Sequence, residues 1–232
     1  MKKNKLYLCF DFFTQNDFTD LIARQFKKSR PLVVFDVGCY IGNFSKKLKT
    51  NINRKSKFYL FDPNPNLKNE KFNIFNIALG SKNIKKKFYF NTLLEHSGSS
   101  MSDITKNDFL WNLSRKILFF KFGKIFKKII VNCETIDSFI KRKKIKKIDV
   151  LKIDVEGSEL EIILGAKNTL KKIKVIQIEV MGRKDNIKIK IDKIYGLLKE
   201  YKFKLIKMKR IYSVSILSNI AAYDILLIND AN

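Results

Sequence analysis

Acidic residues stand at the ends of several predicted strands, and their positions suggest a binding site for a cationic ligand. Asp36 ends the strand PLVVFDV, and Gly38 and Gly42 follow it in the pattern D-x-G-x-x-x-G. In open α/β sheets, ligands bind beyond the carboxyl ends of the strands. A dinucleotide loop carries a third glycine, which brings a pyrophosphate to a helix N-terminus. An acid beside the loop would repel a pyrophosphate but suits a ligand that carries an ammonium group.

A second acid strengthens the ligand interpretation. Asp62 ends the predicted strand KFYLFD, about 20 residues beyond the glycine loop, where an acid commonly accepts hydrogen bonds from ribose hydroxyls. S-adenosylmethionine combines a ribose with an ammonium and a sulfonium, and it has no phosphate. A structural strand-to-helix turn at Gly38 and a simple Asp-Pro turn at Asp62 are the alternatives.

The segment LKIDVEGSELEIILGA supplies two more carboxylates. Asp154 and Glu156 flank Val155 on an extended segment, so their side chains project to the same side. Such a carboxylate could act as a general base toward a substrate hydroxyl, or the pair could hold a metal, although we predict no metal ligand. Glu179, near the end of the next strand, is a third candidate acid. Ser158 and Glu161 have the spacing of a helix capping box.

Composition limits the class of protein. The 232 residues are 45% hydrophobic, which excludes a disordered chain and fits one domain with a continuous core. The three cysteines are far apart, so neither a disulfide scaffold nor a zinc site is expected, and a cytoplasmic location is favoured. We find neither a signal peptide nor an apolar segment of membrane-spanning length. The formal net charge of +26 fits either an AT-rich genome or an anionic partner.

Strands and helices alternate along most of the chain. The pattern predicts the elements 16–28 (helix), 31–37 (strand), 41–49 (helix), 57–62 (strand), 72–80 (strand), 85–90 (strand), 128–133 (strand), 134–143 (helix), 148–157 (strand), 158–172 (helix), 174–180 (strand), 187–201 (helix), 203–210 (strand) and 222–228 (strand). This order favours βαβ units and a doubly wound, mainly parallel sheet. We expect a single domain, residues 1–232, with an N-terminal helical extension (1–30) and an insertion (103–128).

The motifs, taken in order, resemble those of the FkbM-type methyltransferases. The matching stretches are FDVGCYIGNFS, FDPNP, IALG, SGSS, NCETIDSF, DVLKIDVEGSELEIILGA and IQIEV, and they cover about residues 31–182. The resemblance implies a class I methyltransferase (Rossmann-like) α/β fold, S-adenosylmethionine as methyl donor, and O-methylation of a hydroxyl on a sugar, glycan or other small metabolite.

The resemblance also assigns roles to residues. The donor's methionine end would lie on Asp36, Gly38 and Gly42, its ribose on Asp62, its adenine beside Ala78 and Leu79, and the transferred methyl near Asp154 and Glu156. The remaining predicted donor contacts are Cys39, Tyr40, Asn43 and Phe61, and the predicted acceptor contacts are His96, Ser99 and Ser100. Asp62 departs from the family's usual Glu, and Cys39-Tyr40 from its usual Ala-Asn. We expect the base to be Asp154, followed by Glu156 or Glu179.

The basic, aromatic stretch 111–130 leaves the partner open. Helical spacing would place Trp111, Leu118, Phe122, Ile125 and Ile129 on one face, with lysines opposite. This pattern fits a lid that packs on the domain, or an interfacial helix that rests on anionic lipid at the inner face of the membrane. The net charge motivates two other hypotheses: an RNA methyltransferase, and a non-enzymatic binder of anionic surfaces with a degenerate fold. Against the RNA methyltransferase, we see no appended RNA-binding module, and against the degenerate binder, the acids and glycines are intact.

Overall fold

The computed structural model describes residues 18–91, 126–211 and 219–231. Its helices are α1 (Thr19–Ala23), α2 (Asn43–Asn51), α3 (Ile136–Arg142), α4 (Glu159–Leu164) and α5 (Ile187–Glu200), with a 3₁₀ turn at Leu170–Lys172. Its strands are β1 (Val33–Val37), β2 (Lys57–Phe61), β3 (Ile74–Phe75), β4 (Ala78–Leu79), β5 (Ile84–Asn91), β6 (Phe126–Glu134), β7 (Ile148–Ile153), β8 (Ile173–Arg183), β9 (Phe203–Ile211) and β10 (Ile220–Asn229).

A seven-stranded sheet organises the molecule in the order β3-β2-β1-β7-β8-β10-β9. Strands β3, β2, β1, β7 and β8 are parallel, while β10 is antiparallel to both β8 and β9. A second, three-stranded sheet has the order β4-β6-β5. The large sheet confirms the predicted class I, Rossmann-like α/β fold, and its strand order switches direction between β1 and β7. In such folds the crevice beyond this switch point is the usual ligand site.

Both faces of the large sheet are covered, which explains the nearly continuous apolar runs of β1 and β7. All six residues of β7 are buried. One face packs Val34, Val150 and Val175 against α1 and α2, and the other contributes Phe35 and Leu151 to the larger core that contains α3 and α5. Parallel strands buried on both faces read as hydrophobic runs rather than as alternating patterns.

Six strand predictions are confirmed with shifts at their ends: 57–62, 85–90, 128–133, 174–180, 203–210 and 222–228. The strand expected at 148–157 is too long, because β7 ends at Ile153 and residues 156–157 form a turn, so Glu156 is not extended as predicted. The strand expected at 72–80 is instead two short strands, β3 and β4, in different sheets. The break is local: the Ile77 amide donates to the Phe75 carbonyl, and the Asn76 side chain donates to the Asn64 carbonyl. These bonds turn the chain between the two strands.

Two helix predictions are too long. The helix expected at 16–28 comprises only α1 within the described residues, and the chain beyond Arg24 turns. The helix expected at 158–172 ends after Leu164, and turns lead to the 3₁₀ turn. The helix predicted at 187–201 is confirmed as α5.

The helical interpretation of 111–130 is wrong at its end, where β6 pairs with β5 along Asn91 to Ile84. Pairing with a partner strand overrides the helical spacing of apolar residues there, and Ile129 packs on the small sheet's own cluster. Residues 126–128 of the predicted insertion therefore belong to a strand. The rest of the predicted insertion, 103–125, lies outside the described residues.

Candidate functional site

The loop after β1 depends on glycine for reasons internal to the protein. Gly38 and Gly42 have φ values of +74° and +73°, which favour glycine. A Cβ atom on Gly38 would lie 1.7 Å from the Asp154 carbonyl oxygen, and one on Gly42 would lie 3.0 Å from a Leu60 methyl carbon. The glycines thus let the loop approach β2 and the segment after β7.

Backbone N–H groups of this loop donate hydrogen bonds to acceptors within the protein. Gly38 and Cys39 both donate to the Phe61 carbonyl, and the Gly42 amide donates to the Cys39 carbonyl at 2.7 Å. The Tyr40 amide donates to the Asp62 carboxylate. A pyrophosphate needs such N–H groups turned toward it. Their use inside the loop agrees with the prediction from sequence that this is not a dinucleotide loop.

Asp36 is completely buried at the end of β1. Its Oδ2 accepts a 2.6 Å hydrogen bond from the Ser45 hydroxyl on α2, and its Oδ1 lies 3.5 Å from the Lys152 ammonium nitrogen. A buried carboxylate needs such partners, because desolvation of an unpaired charge is costly. The carboxylate therefore joins β1, α2 and β7 beneath the loop that was predicted to hold the donor.

Asp62 connects the two loops at the ends of β1 and β2. Its oxygens accept the amides of Tyr40 at 3.1 Å and Asn64 at 3.0 Å. Burial raises the pKa of Asp62 to about 6, although both amide hydrogen bonds and Lys152 oppose the shift. A carboxylate has about four lone-pair positions, so Asp62 keeps acceptor capacity for further donors such as hydroxyls.

Lys152 is a residue of the candidate site that sequence reasoning missed. Its side chain on β7 is 10% exposed, and its ammonium lies 3.1 Å from Asp154 Oδ2 and 3.5 Å from Asp36 Oδ1. Burial lowers the pKa of Lys152, but the carboxylates of Asp154 and Asp36 outweigh this effect and raise the pKa above its ordinary value. A lysine inside the mainly apolar strand IDVLKI, two residues before an acid, was the signal available in the sequence.

The three predicted catalytic acids lie together: Asp154 and Glu156 follow β7, and Glu179 lies within β8, beside the end of β7. Glu156 adopts a left-handed backbone conformation, with φ of +51°, directly before Gly157. The pKa of Glu179 is raised well above its ordinary value by burial and by the nearby charges of Asp154, Asp224 and Glu156. Asp224 on β10 pairs with Glu179 across the strands and is a further acid that the sequence analysis did not select.

The turn after Asp154 is held by Glu159 and not by the predicted capping box. Ser158 precedes α4 without a side-chain capping bond, and Glu161 instead accepts from Ser81 and Lys86. The fully buried Glu159 accepts the Gly157 amide at 2.6 Å and forms an ion pair with Lys190 of α5.

Lys190 completes this clamp, because its ammonium also donates to the carbonyls of Gly157 at 2.9 Å and Met181 at 2.7 Å. It therefore joins α5 to the turn after Asp154 and to the end of β8. We name Glu159 and Lys190 together the turn clamp.

The remaining predicted site residues are placed as follows. Asn43 is the first residue of α2, and the Phe61 side chain is part of the aromatic core while its carbonyl holds the loop. Ala78 and Leu79 are buried and form β4. Burial raises the pKa of the Cys39 thiol. His96, Ser99 and Ser100 lie outside the described residues.

Two other kinds of site are absent from the described ranges. Within residues 18–91, 126–211 and 219–231, no group of three or more His, Cys, Asp or Glu residues is arranged to hold a metal ion. In the same ranges, no helix has the length and hydropathy needed to cross a bilayer.

The fold and the clustered strand-end acids define a class I, Rossmann-like α/β protein of the methyltransferase type. A family model described as "Methyltransferase FkbM domain" matches residues 36–205, well over half of the chain. The chain belongs to this methyltransferase family, which confirms the resemblance seen in the motifs. No curated protein matches the sequence closely enough to be counted as a relative.

Several solved methyltransferase structures are similar to this chain at low identity. Precorrin-6y C5,15-methyltransferase from Geobacter metallireducens GS-15 is 11% identical, with 94% of this chain and 96% of that chain covered and a TM-score of 0.41. Magnesium protoporphyrin IX methyltransferase from Synechocystis PCC 6803, solved with bound SAH, is also 11% identical, with 97% and 83% covered and a TM-score of 0.41.

A putative rRNA methylase from Clostridium thermocellum is a third similar structure. It is 12% identical, with 98% of this chain and all of that chain covered and a TM-score of 0.39.

Proposed function

We propose that this protein is an S-adenosylmethionine-dependent O-methyltransferase that acts on a hydroxyl of a sugar, glycan or other small metabolite. The observation that carries the proposal is the row of carboxylates at the carboxyl ends of four neighbouring strands. These acids are Asp62 after β2, Asp36 on β1, Asp154 after β7 and Glu179 on β8. In open α/β sheets the ligand crevice lies beyond such strand ends, at the switch in strand order, which here falls between β1 and β7.

The donor side suits S-adenosylmethionine. The donor's ribose hydroxyls would donate to Asp62, which already orders both flanking loops through their amides. The methionine end would lie along the loop 38–42, where Asp36 and Asp62 give a negative local charge that matches an ammonium and a sulfonium. When bound, this donor supplies a methyl group on a positively charged sulfur.

The acceptor side offers a proton acceptor. In O-methyl transfer the hydroxyl oxygen bonds to the methyl carbon, the carbon–sulfur bond breaks with its electrons going to sulfur, and the hydroxyl proton passes to a base. A base works best when its pKa lies near the operating pH. Asp154, which is partly exposed and held by Lys152, is the first candidate for this base. Glu179 is a further candidate, and burial and the neighbouring carboxylates raise its pKa.

Calorimetry tests the donor half of the proposal. Wild-type protein should bind S-adenosylmethionine and S-adenosylhomocysteine, and Asp62→Asn should weaken both. The matched control is Asp230→Asn, because Asp230 follows β10 at the opposite edge of the sheet and pairs with the exposed Lys204. Absence of binding by the wild-type protein would reject the enzyme and favour the non-enzymatic binder of anionic surfaces.

Transfer of a labelled methyl group tests the acceptor half. The donor would be incubated with purified protein and separately with sugars, glycans and RNA. Label in a glycan or sugar supports the proposal, and the linkage formed distinguishes an O-methyl product from others. Label in RNA alone would favour the RNA methyltransferase hypothesis that the net charge motivates.

A further inference from the structure

The buried ammonium of Lys152 lies between Asp36, on the proposed donor side of the site, and Asp154, on the proposed acceptor side. Lys152 and Asp36 are direct neighbours across β7 and β1, and Asp154 follows two residues later on the same side of β7. The Lys152 ammonium is 3.5 Å from Asp36 Oδ1 and 3.1 Å from Asp154 Oδ2. One cation thus pairs with Asp36, beneath the loop 38–42 proposed to hold the donor, and with Asp154, beside the proposed acceptor.

The described surroundings of this ammonium are mostly acidic. The ring of Phe44 on α2 lies 5.9 Å from it, and Gln177 is its neighbour on β8. The titratable groups that interact with its charge are Asp36 and Cys39 around the end of β1, Asp62 after β2, Asp154 after β7 and Glu179 on β8. Around these, Ser45 on α2 donates to Asp36, and the charges of Glu156 after β7 and Asp224 on β10 act on Glu179.

We propose that Lys152 is a positioning residue whose ammonium holds the carboxylates of Asp36 and Asp154 together. It thereby couples the loop 38–42, where the donor would lie, to the segment 154–156, where the acceptor hydroxyl would lie. The proposal rests on the proposed methyl transfer. Asp36 is completely buried, and among the described residues its side chain has Lys152 and the Ser45 hydroxyl as partners. Without the ammonium, its charge would be uncompensated in the core.

The same charge acts on the other acids of the site. Lys152 lowers the pKa of Asp62 and of Glu179, although burial raises both. Removal of the ammonium should therefore raise both pKa values. The pH below which donor affinity declines should then move upward from about 6.

The test combines three variants with two readouts. Lys152→Met removes the charge, Lys152→Arg keeps it, and the double variant Asp36→Asn with Lys152→Met removes both members of the buried pair. Lys204→Met, at the opposite edge of the sheet, is the control. The readouts are the pH dependence of S-adenosylhomocysteine affinity between pH 5 and 9, and the titration of the Asp62 and Glu179 carboxyl carbons by ¹³C NMR.

We expect Lys152→Met to shift both titrations upward by about one pH unit, while Lys152→Arg restores the wild-type midpoints. The double variant should regain thermal stability relative to Lys152→Met and keep the shifted midpoint of Glu179. The midpoint of Asp62 should move back toward the wild-type value, because the Asp36 charge that raises it is also removed. A merely structural role would lower stability and affinity equally at every pH and leave the midpoints in place, and that result would overturn the proposal.

The two readouts separate the failure of this inference from the failure of the proposed function. If the wild-type protein binds no donor, the proposed function fails, and the NMR titration still decides whether Lys152 sets the carboxyl midpoints. If the donor binds and methyl transfer proceeds but the midpoints do not move, only the role of Lys152 is rejected.

Discussion

At the scale of single residues, Asp62 links the structure of two loops to the proposed binding of the donor. Its pKa of about 6 exceeds the ordinary value of 3.8, so the folded protein holds this proton more tightly than the unfolded chain. The contribution of Asp62 to the free energy of unfolding therefore decreases as pH rises from about 4 to about 6. Donor affinity should change in the opposite sense, because an ionised carboxylate accepts hydroxyl hydrogen bonds more strongly.

The first prediction concerns this pH dependence. In wild-type protein, affinity for S-adenosylhomocysteine should fall by up to about tenfold per pH unit below pH 6. Asp62→Asn should weaken binding at neutral pH and remove this dependence, whereas Asp62→Glu should keep it because the carboxylate remains. Calorimetry at several pH values measures all three. A pH dependence that persists in Asp62→Asn would assign the titration to another group.

The second prediction concerns Gly38. Gly38→Ala should lower the free energy of unfolding by more than about 2 kcal/mol, because its Cβ would overlap the Asp154 carbonyl oxygen and φ is positive. Gly196→Ala is the matched control, since no atom lies within 4 Å of its Cβ position in α5. That change should stabilise the protein by about 0.5–1 kcal/mol. Urea denaturation measures both, and equal effects would contradict the packing argument.

At the scale of secondary-structure elements, α5 holds the turn after Asp154 through the turn clamp, at the proposed acceptor side of the site. Lys190 contacts Gly157, Glu159 and Met181, so one helix fixes both the turn after β7 and the end of β8. Glu159 is fully buried, and its carboxylate also takes the Gly157 amide. The position of Asp154 and Glu156 therefore depends on an element that is distant in sequence.

The third prediction follows from this clamp. Lys190→Met should lower the free energy of unfolding by about 3 kcal/mol, because it leaves the buried Glu159 carboxylate without its cation. Hydrogen exchange should increase at residues 155–158. Lys193→Met, on the exposed side of α5, should change neither quantity. Unaltered exchange in Lys190→Met would show that the turn holds its shape without the clamp.

At the scale of the whole molecule, the net charge of +26 and the acidic site point to different partners. Exposed lysines lie along one face of the β5–β6 pair, where Lys85, Lys87 and Lys128 are solvent-accessible. Such a surface attracts polyanions without selecting them, and the attraction is sensitive to salt. The acids at the strand ends form a separate, local environment of opposite sign.

The fourth prediction separates these two properties. RNA binding should weaken by more than about tenfold between ~50 and ~200 mM salt, and replacement of Lys85, Lys87 and Lys128 by Gln should reduce its salt dependence. S-adenosylhomocysteine has no net charge, so its affinity should stay nearly constant over the same range. Fluorescence anisotropy and calorimetry measure the two. Salt-resistant, sequence-selective RNA binding would instead support an RNA substrate.

The sequence by itself determined the class of fold and most of the candidate acids. Buried parallel strands appear in the sequence as mainly apolar runs, such as VVFDV and IDVLKI. The acids in or just after such runs can be identified from the order of residues along the chain. Asp36, Asp62, Asp154 and Glu179 could therefore be selected without coordinates. The family motifs could be recognised in the same way, because they are short and contiguous.

The tertiary structure decided which partners these residues have. Lys152 is one of 48 lysines and arginines, and only the register of β7 against β1 places it between Asp36 and Asp154. Likewise, the partner strand β5 makes 126–134 a strand, and the contact with α5 makes Glu159 rather than Glu161 the residue that holds the turn. Parallel pairing and helix packing join segments far apart in the chain, so local patterns carry no record of them.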